Sequence, residues 1–584
     1  MRNFFKIFFA SFLAMIVFVG VLFFLLIAVI GGIASKDTPV IEANSVLVID
    51  LSQDFREQMV ENPLSVISGD SEKDVPGLYD VIRLLEKAKT DDQIKGIFLL
   101  ANNNPNGFAN SDELRNALLA FKKTKKFIIA YGDVISQKAY FIANVADKIY
   151  LNPQGFFEWK GMSVNYMFIK GTLDKLEIKP QIFYAGKFKS ATEMFRTEQM
   201  TDENKLQTTE WMGEIYRHFI TTTSSQRDID EDSLQYYAYE GKIQNANDAY
   251  RYRLIDNLKY DDEVKDVLKK KLSLGKYDKI NFITINKYAK TGGFKKLKGD
   301  RIALIYAQGD IVDGKGDQGT IGGDTYRSLV RKARLDKNIK AIVFRVNSGG
   351  GSALASENIW RELALAKKDK PVVVSFGDVA ASGGYYISCA ADSIFASPNT
   401  ITGSIGVFGI VPNMQSFFKN KLGITFDAVK TGPYADGGSV SRPLTEVEQK
   451  FIQAEIDRIY KQFKTRVSDG RNRDMAYVDS IAQGRVWIGT TALQIGLIDK
   501  YGGLQDAIDC AARLAKLTDY RLKEFPEPEN IIDQILGTST PMNQNNKLKK
   551  EIGEDNFRIF NEMLRVRKMS TGAQARLPFE FFVN

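Results

Sequence analysis

Residues 131–153 read YGDVISQKAYFIANVADKIYLNP, and residues 376–398 read FGDVAASGGYYISCAADSIFASP. Laid on one another, they keep Gly132, Asp133 and Val134 on Gly377, Asp378 and Val379. Tyr140, Ile142, Ala146, Asp147, Ile149 and Pro153 fall on Tyr385, Ile387, Ala391, Asp392, Ile394 and Pro398. The offset is 376 − 131 = 245, and the same offset joins IKGIFLLANNN from Ile94 to IKAIVFRVNSG from Ile339. Chance does not hold one offset over so long a stretch, so the chain carries two copies of one domain in tandem.

Each copy shows one coarse pattern. A short apolar run (GIFLL; AIVFRV) leads into a polar, Gly-containing loop, a helical stretch (SDELRNALLAFKK; ASENIWRELALAKK), a second apolar run (FIIAYGD; VVVSFGD) and another helix. Continuous apolar runs alternating with helices predict an α/β domain with a parallel sheet and helical crossovers, its strands covered on both faces. The first repeat spans 45–292 and the second 298–525, joined through the Lys/Gly-rich YAKTGGFKKLKGD. The tail, 526–584, is polar and reads as partly helical or loosely ordered.

The N-terminus opens MRNFFK and continues uncharged from Ile7 to Ser35. About 20 apolar residues span a bilayer core, and no A-x-A cleavage site follows. Residues 1–36 therefore read as a short cytoplasmic N-terminus and an uncleaved transmembrane helix. Arg2 and Lys6 place that N-terminus in the cytoplasm and the repeats on the far side of the membrane.

Composition excludes several chemistries. Net charge is +8, from 79 Lys+Arg against 71 Asp+Glu, with no basic block suited to nucleic acid. Cys389 and Cys510 are the two cysteines, and His218 the one histidine. These are too few for a disulfide framework or a Cys- or His-rich metal site. The cysteines read as small buried hydrophobes, and no metal or cofactor is expected.

The loops after parallel strands carry function, and there the copies differ. The second has RVNSGGGSALAS from Arg345, with Gly349, Gly350 and Gly351 consecutive; the first has ANNNPNGFANS. Such glycines leave amide N–H groups open to an oxyanion or phosphate. No G-x-x-x-x-G-K-[ST] occurs, so this is not a P-loop. At the next loop AASGG stands against ISQKA, so Ser382 falls on Gln137 and Gly383 on Lys138. Ser382 reads either as a helix N-cap or as an uncovered nucleophile, with the Gly383 and Gly350 N–H groups as an oxyanion pair. A serine nucleophile needs a base, and no G-x-S-x-G elbow is present. His218 lies in a helical surface pattern of the other copy. A buried lysine can serve, because desolvation disfavours the ammonium form. Physics alone does not choose which. The repeat does offer a contrast: YAGKFKSATEMF from Tyr184, aligned with KTGPYADGGSVS from Lys430, sets Lys189 against Ala435. One copy keeps a lysine; the other keeps the serine.

Taken together, the anchor, the two repeats, NSGGGS, ASGGYYIS, TGSIGVFG and GKFKSATE resemble the long, duplicated form of the bacterial signal peptide peptidase family (SppA or protease IV, peptidase family S49). That family lies in the ClpP/crotonase superfamily. The resemblance implies two tandem ClpP/crotonase-like domains and a Ser–Lys dyad hydrolase. Its nucleophile maps onto Ser382, its general base onto Lys189, and its oxyanion hole onto Gly350 and Gly383. Ser404, in TGSIG, is a candidate to orient the lysine or a simple turn serine. The family's N-S-P-G-G loop appears here with Gly349 in place of proline. The resemblance further implies a homo-oligomer, a tetramer for the long form, on the extracytoplasmic side of the bacterial inner membrane. Its substrates would be signal-peptide remnants and other apolar peptides. Crotonase-like acyl-CoA chemistry and a non-catalytic membrane scaffold are the competing readings; neither needs Ser382 and a lysine base.

Overall fold

The sequence offset survives in the backbone. The computed structural model describes residues 2–34, 39–59, 74–317, 319–527 and 572–577. The first repeat supplies strands β1 (Ser45–Asp50), β2 (Ile94–Leu100), β3 (Phe127–Ile135), β4 (Lys148–Phe157), β5 (Lys179–Ala185), β6 (Asn257–Leu258) and β7 (Phe282–Thr284). The second supplies β8 (Asp300–Gln308), β9 (Asp310–Val312), β10 (Thr320–Gly322), β11 (Ile339–Ser348), β12 (Gly350–Ser352), β13 (Val372–Ala381), β14 (Ser393–Ala396), β15 (Ile401–Gly403), β16 (Val407–Asn413), β17 (Val486–Ile488), β18 (Lys500–Tyr501) and β19 (Tyr520–Phe525). The tail adds β20 (Gln574–Arg576). β2, β3 and β4 start 245 residues before β11, β13 and β14.

The first sheet runs β6-β4-β3-β2-β1-β7, every neighbour parallel. The second repeats that order as β18-β14-β13-β11-β8-β19, again parallel. Runs such as Ile342–Phe344 and Val372–Val374 are buried because helices cover both sheet faces. β13 changes partner along its length: Val373–Ser375 pair with β14, and Val379–Ala381 pair with β15. The end of β13 thus lies between β11 (Ser348↔Ala380) and β15 (Ala380↔Thr402), with Ser382 directly after it.

A third sheet, β10-β9-β12-β20-β16-β5, is mixed and joins the repeats. β5 belongs to the first repeat but pairs antiparallel with β16 from Ala185↔Val407 to Lys179↔Asn413. Each repeat also has one 26-residue helix, Asp202–Arg227 and Glu446–Arg471. Both start on a threonine whose side chain accepts an N–H of the first turn, Thr201 from Asn204 and Thr445 from Glu448. Both end on a left-handed residue, Asp228 or Asn472.

The chain termini are described only in part. A helix, Arg2–Ala34, covers most of the uncharged run. Its side chains are described at Phe4 and at 6–21, where nearly all are exposed. Among the described residues no helix is long and apolar enough to cross a membrane. Most of the tail lies outside the described residues, but 574–576 form a buried strand rather than a helix or loose segment. Nothing local in Gln-Ala-Arg favours a strand; two open strand edges impose it.

Candidate active site

Ser382 follows β13 at the N-cap position of the short helix Gly383–Ser388, with φ 55° and ψ −116°. Positive φ is costly for a residue with a Cβ and persists only where surroundings enforce it. Two backbone bonds do so here: Ser382 N–H donates to Gly403 O at 2.8 Å, and Tyr386 N–H donates to Ser382 O at 2.8 Å. The side chain makes no capping bond. In the first repeat Ser136 does cap the equivalent helix, accepting from Ala139 N–H at an ordinary φ of −73°. Gln137, in the Ser382 position, is buried and accepts from Lys160 and Gly161 N–H. The capping reading therefore describes the wrong repeat; Ser382 is held for something else.

Its Oγ lies 2.8 Å from Lys189 Nζ. β5 hands the chain to Gly186, and Lys189 N–H donates back to Gly186 O, turning the side chain inward. Nζ also lies 3.0 Å from Ser404 Oγ and 3.2 Å from Ser404 O. Ser404, like Ser382, holds a positive φ, of 50°. Lys189 and both serines are at most 1% exposed. Burial alone, with no carboxylate opposing it, drives the Lys189 pKa well below 10.5. A neutral amine has two N–H donors and one lone pair. Ser404 O and Ser404 Oγ can take the donors, which leaves the lone pair for the Ser382 O–H. The two residues come from different repeats of one chain.

Two glycines missing from the sequence reading shape the lysine pocket. A Cβ on Gly484 (φ 73°) would lie 2.8 Å from both the backbone N and the Cβ of Lys189, and one on Gly406 would lie 3.1 Å from its Cδ. Gly484→Ala is expected to lower kcat about 10–100-fold with KM little changed, because sub-ångström displacement of a catalytic group is that costly. Steady-state kinetics check this, and an unchanged kcat would show that Gly484 does not position the amine.

The expected donor glycines are Gly350 and Gly383. Gly350 N–H donates to Ser348 Oγ at 3.1 Å. Ser348 Oγ is fixed in turn by donating to Gly309 O. The next glycine, Gly351, pairs with Ala575 of β20 and with Ile311 of β9. Gly383 begins its helix, so its N–H falls outside the intrahelical ladder. The two loops touch: a Cβ on Gly350 would lie 2.6 Å from Gly383 N.

The remaining candidates lie elsewhere. His218 Nε2 meets Asp112 Oδ1 at 3.1 Å, and Asp112 Oδ2 accepts from Ser397 and Asn399. That cluster ties the repeats together and leaves Ser382 alone. Cys389 is buried, its thiol pushed up to about 12 by that burial, and Sγ contacts Tyr386 O. It is packing. Among the described residues no group of His, Cys, Asp or Glu could hold a metal ion.

Peptidase family S49 matches twice, over residues 120–275 and 364–518. Protease 4 of Salmonella typhi is 36% identical over 476 residues, 79% of this chain and 76% of that protein. Protease 4 of Haemophilus influenzae is 33% identical over 564 residues, 92% of this chain and 91% of that protein. A putative signal peptide peptidase SppA of Enterococcus faecium is 39% identical over 231 residues, 38% of this chain and 67% of that protein. With both repeats matched and two relatives aligned over most of their length, the chain belongs to peptidase family S49 and is a serine protease.

Proposed function

We propose that the protein is a membrane-anchored endopeptidase that uses Ser382 and Lys189 as a dyad to degrade cleaved signal peptides and similar apolar peptides. The single observation carrying this reading is the 2.8 Å approach of a buried Lys189 amine to a strained Ser382. Acyl-CoA chemistry of the crotonase kind needs no such pair. In the proposed reaction Lys189 Nζ accepts the Ser382 proton as Oγ adds to the peptide carbonyl carbon. The N–H groups of Gly350 and Gly383 receive the oxyanion. The Lys189 ammonium then protonates the leaving amine as the C–N bond breaks. Water adds to the Ser382 ester with Lys189 again taking a proton, and the acid is released. Ser404 keeps the amine lone pair on Ser382.

The substrate class is supported by the name of the Enterococcus faecium relative. It is supported as well by the anchor, which rests on the uncharged run 7–35 behind Arg2 and Lys6. A hydrolase tethered there meets apolar peptides where they accumulate.

The pH profile tests the base. Only neutral Lys189 is competent, so activity is lost as pH falls through its depressed pKa. The acid limb of kcat/KM on an apolar peptide ester is expected well below the ordinary lysine value of 10.5. A limb at the ordinary value would contradict a buried lysine base.

A further inference from the structure

One buried side chain outside the dyad reaches the supports of both its members. Gln207 lies in the second turn of the long helix Asp202–Arg227 and has no exposure. Its Nε2 donates to Ser190 Oγ at 2.9 Å and to Phe188 O at 3.3 Å, on either side of Lys189. Its Oε1 accepts from Val486 N–H at 3.1 Å. Phe188 and Ser190 belong to the first repeat, Val486 to the second.

The Val486 end of the amide leads to the serines. β17 pairs antiparallel with β15, and Val486 stands opposite Gly403. Gly403 O accepts the Ser382 N–H at 2.8 Å, and Ser404 N–H donates to Arg485 O at 2.7 Å. A shift of Val486 is therefore passed to the backbone of both serines that face Lys189 Nζ. The other end leads to the lysine. Its turn is closed by Ser190 N–H donating to Phe188 O at 2.8 Å, and Gln207 holds both of those residues.

Gln207 is itself held. Its Nε2 lies 3.2 Å from Asn204 Oδ1, and Asn204 Nδ2 donates to Glu193 Oε2 at 2.9 Å. Glu193 Oε1 in turn accepts from the Thr201 hydroxyl at 2.6 Å. Three acceptors surround Nε2 and a donor meets Oε1, so the amide has one satisfactory orientation. A buried polar group satisfied at both ends fixes geometry in a way that an apolar side chain of the same size does not.

We propose that Gln207 is a positioning residue of the active site: its one amide clamps the lysine-bearing turn to the β15–β17 pair that supports the serines, and so sets the Nζ–Oγ separation. The inference rests on the dyad reading above.

The test is made on the full chain. Gln207→Met keeps the bulk and removes every bond of the amide. On a soluble apolar peptide ester, kcat is expected to fall about 10–100-fold with KM within about 2-fold, since a misplaced catalytic group is that costly. The acid limb of kcat/KM is expected to move as well. Only neutral Lys189 is competent, and an amine no longer held dry against Ser404 loses part of the penalty on its charged form. Its pKa rises, and activity is lost at a pH higher by about one pH unit. Thr223→Val, on the same helix, is the control. Thr223 is fully buried and accepts from Asn144 Nδ2 at 3.3 Å, a bond within the first repeat. Its loss is expected to lower Tm and to leave kcat and the acid limb in place.

Ser190→Ala is the milder variant. It removes one acceptor of Gln207, and kcat is expected to fall about 3–10-fold at nearly parental Tm. Added to Gln207→Met it costs little more, because both remove the same contact. Parental kcat and acid limb in Gln207→Met, or the same changes in Thr223→Val, make Gln207 a packing residue and overturn the proposal. Should Gln207→Met fail to fold, parental kcat in Ser190→Ala overturns it. Full activity in Lys189→Ala removes the dyad and this inference with it. An inactive Lys189→Ala beside a parental Gln207→Met removes this inference alone.

Discussion

Ser382→Ala and Lys189→Ala are each expected to lower kcat/KM on an apolar peptide ester by at least ~10⁴-fold, with the thermal transition nearly unmoved. The two losses are not additive, because the residues act as one unit: the double variant falls no further than either single one. His218→Ala leaves kcat/KM essentially unchanged, since its partner is Asp112. A fluorophosphonate probe is expected to label Ser382 in the parent and to fail in both dyad variants, for without the amine the hydroxyl stays protonated. Lys189→Arg is no rescue: a guanidinium stays protonated and cannot accept the proton. A dead His218→Ala enzyme, or full activity in Ser382→Ala, would remove the dyad from consideration.

How much of this was legible in the sequence depends on what each feature needs. Parallel strands buried on both faces must be apolar along their length, so β2, β3, β11 and β13 announce themselves and the 245-residue offset does the rest. The serine and its glycines stand out because the first repeat has Gln137 and Lys138 there. Lys189 is legible only by contrast with the second repeat and by family resemblance, since nothing local marks one lysine as buried. Features set by tertiary contact were hidden. The positive φ of Ser382 follows from bonds to Gly403 and Tyr386. The contact of the Gly350 N–H with the Ser348 hydroxyl forms only in the folded loop. The β5–β16 pairing, which delivers Lys189 to the other repeat, links residues more than 200 positions apart. The tail strand has no local strand signal and forms because β12 and β16 leave a slot between them.

The relative placement of the repeats sets the dyad distance, and a buried charge cluster sets that placement. Arg345, on β11 of the second repeat, is fully buried. Its Nε donates to Glu57 at 2.7 Å, and its Nη2 meets Glu113 at 2.7 Å and Asn110 Oδ1 at 3.1 Å, all three from the first repeat. Its Nη1 donates to Ser375 Oγ and Phe376 O on β13, the strand that leads into Ser382. All five guanidinium donors are thus used. Burial by itself would lower the Arg345 pKa, but Glu113 and Glu57 hold it above its ordinary value. Burial raises the Glu113 pKa against the pull of Arg345. Arg345→Met leaves two buried carboxylates without their cation and is expected to cost about 3–5 kcal/mol, a fall in Tm on the order of 10 °C. Activity is expected to drop at temperatures well below the transition, because β13 loses its brace and the Lys189–Ser382 distance is no longer held. Adding Glu57→Gln and Glu113→Gln neutralises the stranded charges while keeping acceptors for Asn347 and for Leu504 N–H, which now bond Glu57 and Glu113. That triple variant is expected to recover much of the Tm but less of the activity, since neutral amides restore solvation balance without restoring the grip on β13. Differential scanning calorimetry and ester kinetics read the two effects separately. An Arg345→Met protein with parental Tm and kcat would show that the repeats are held together by their apolar contacts alone.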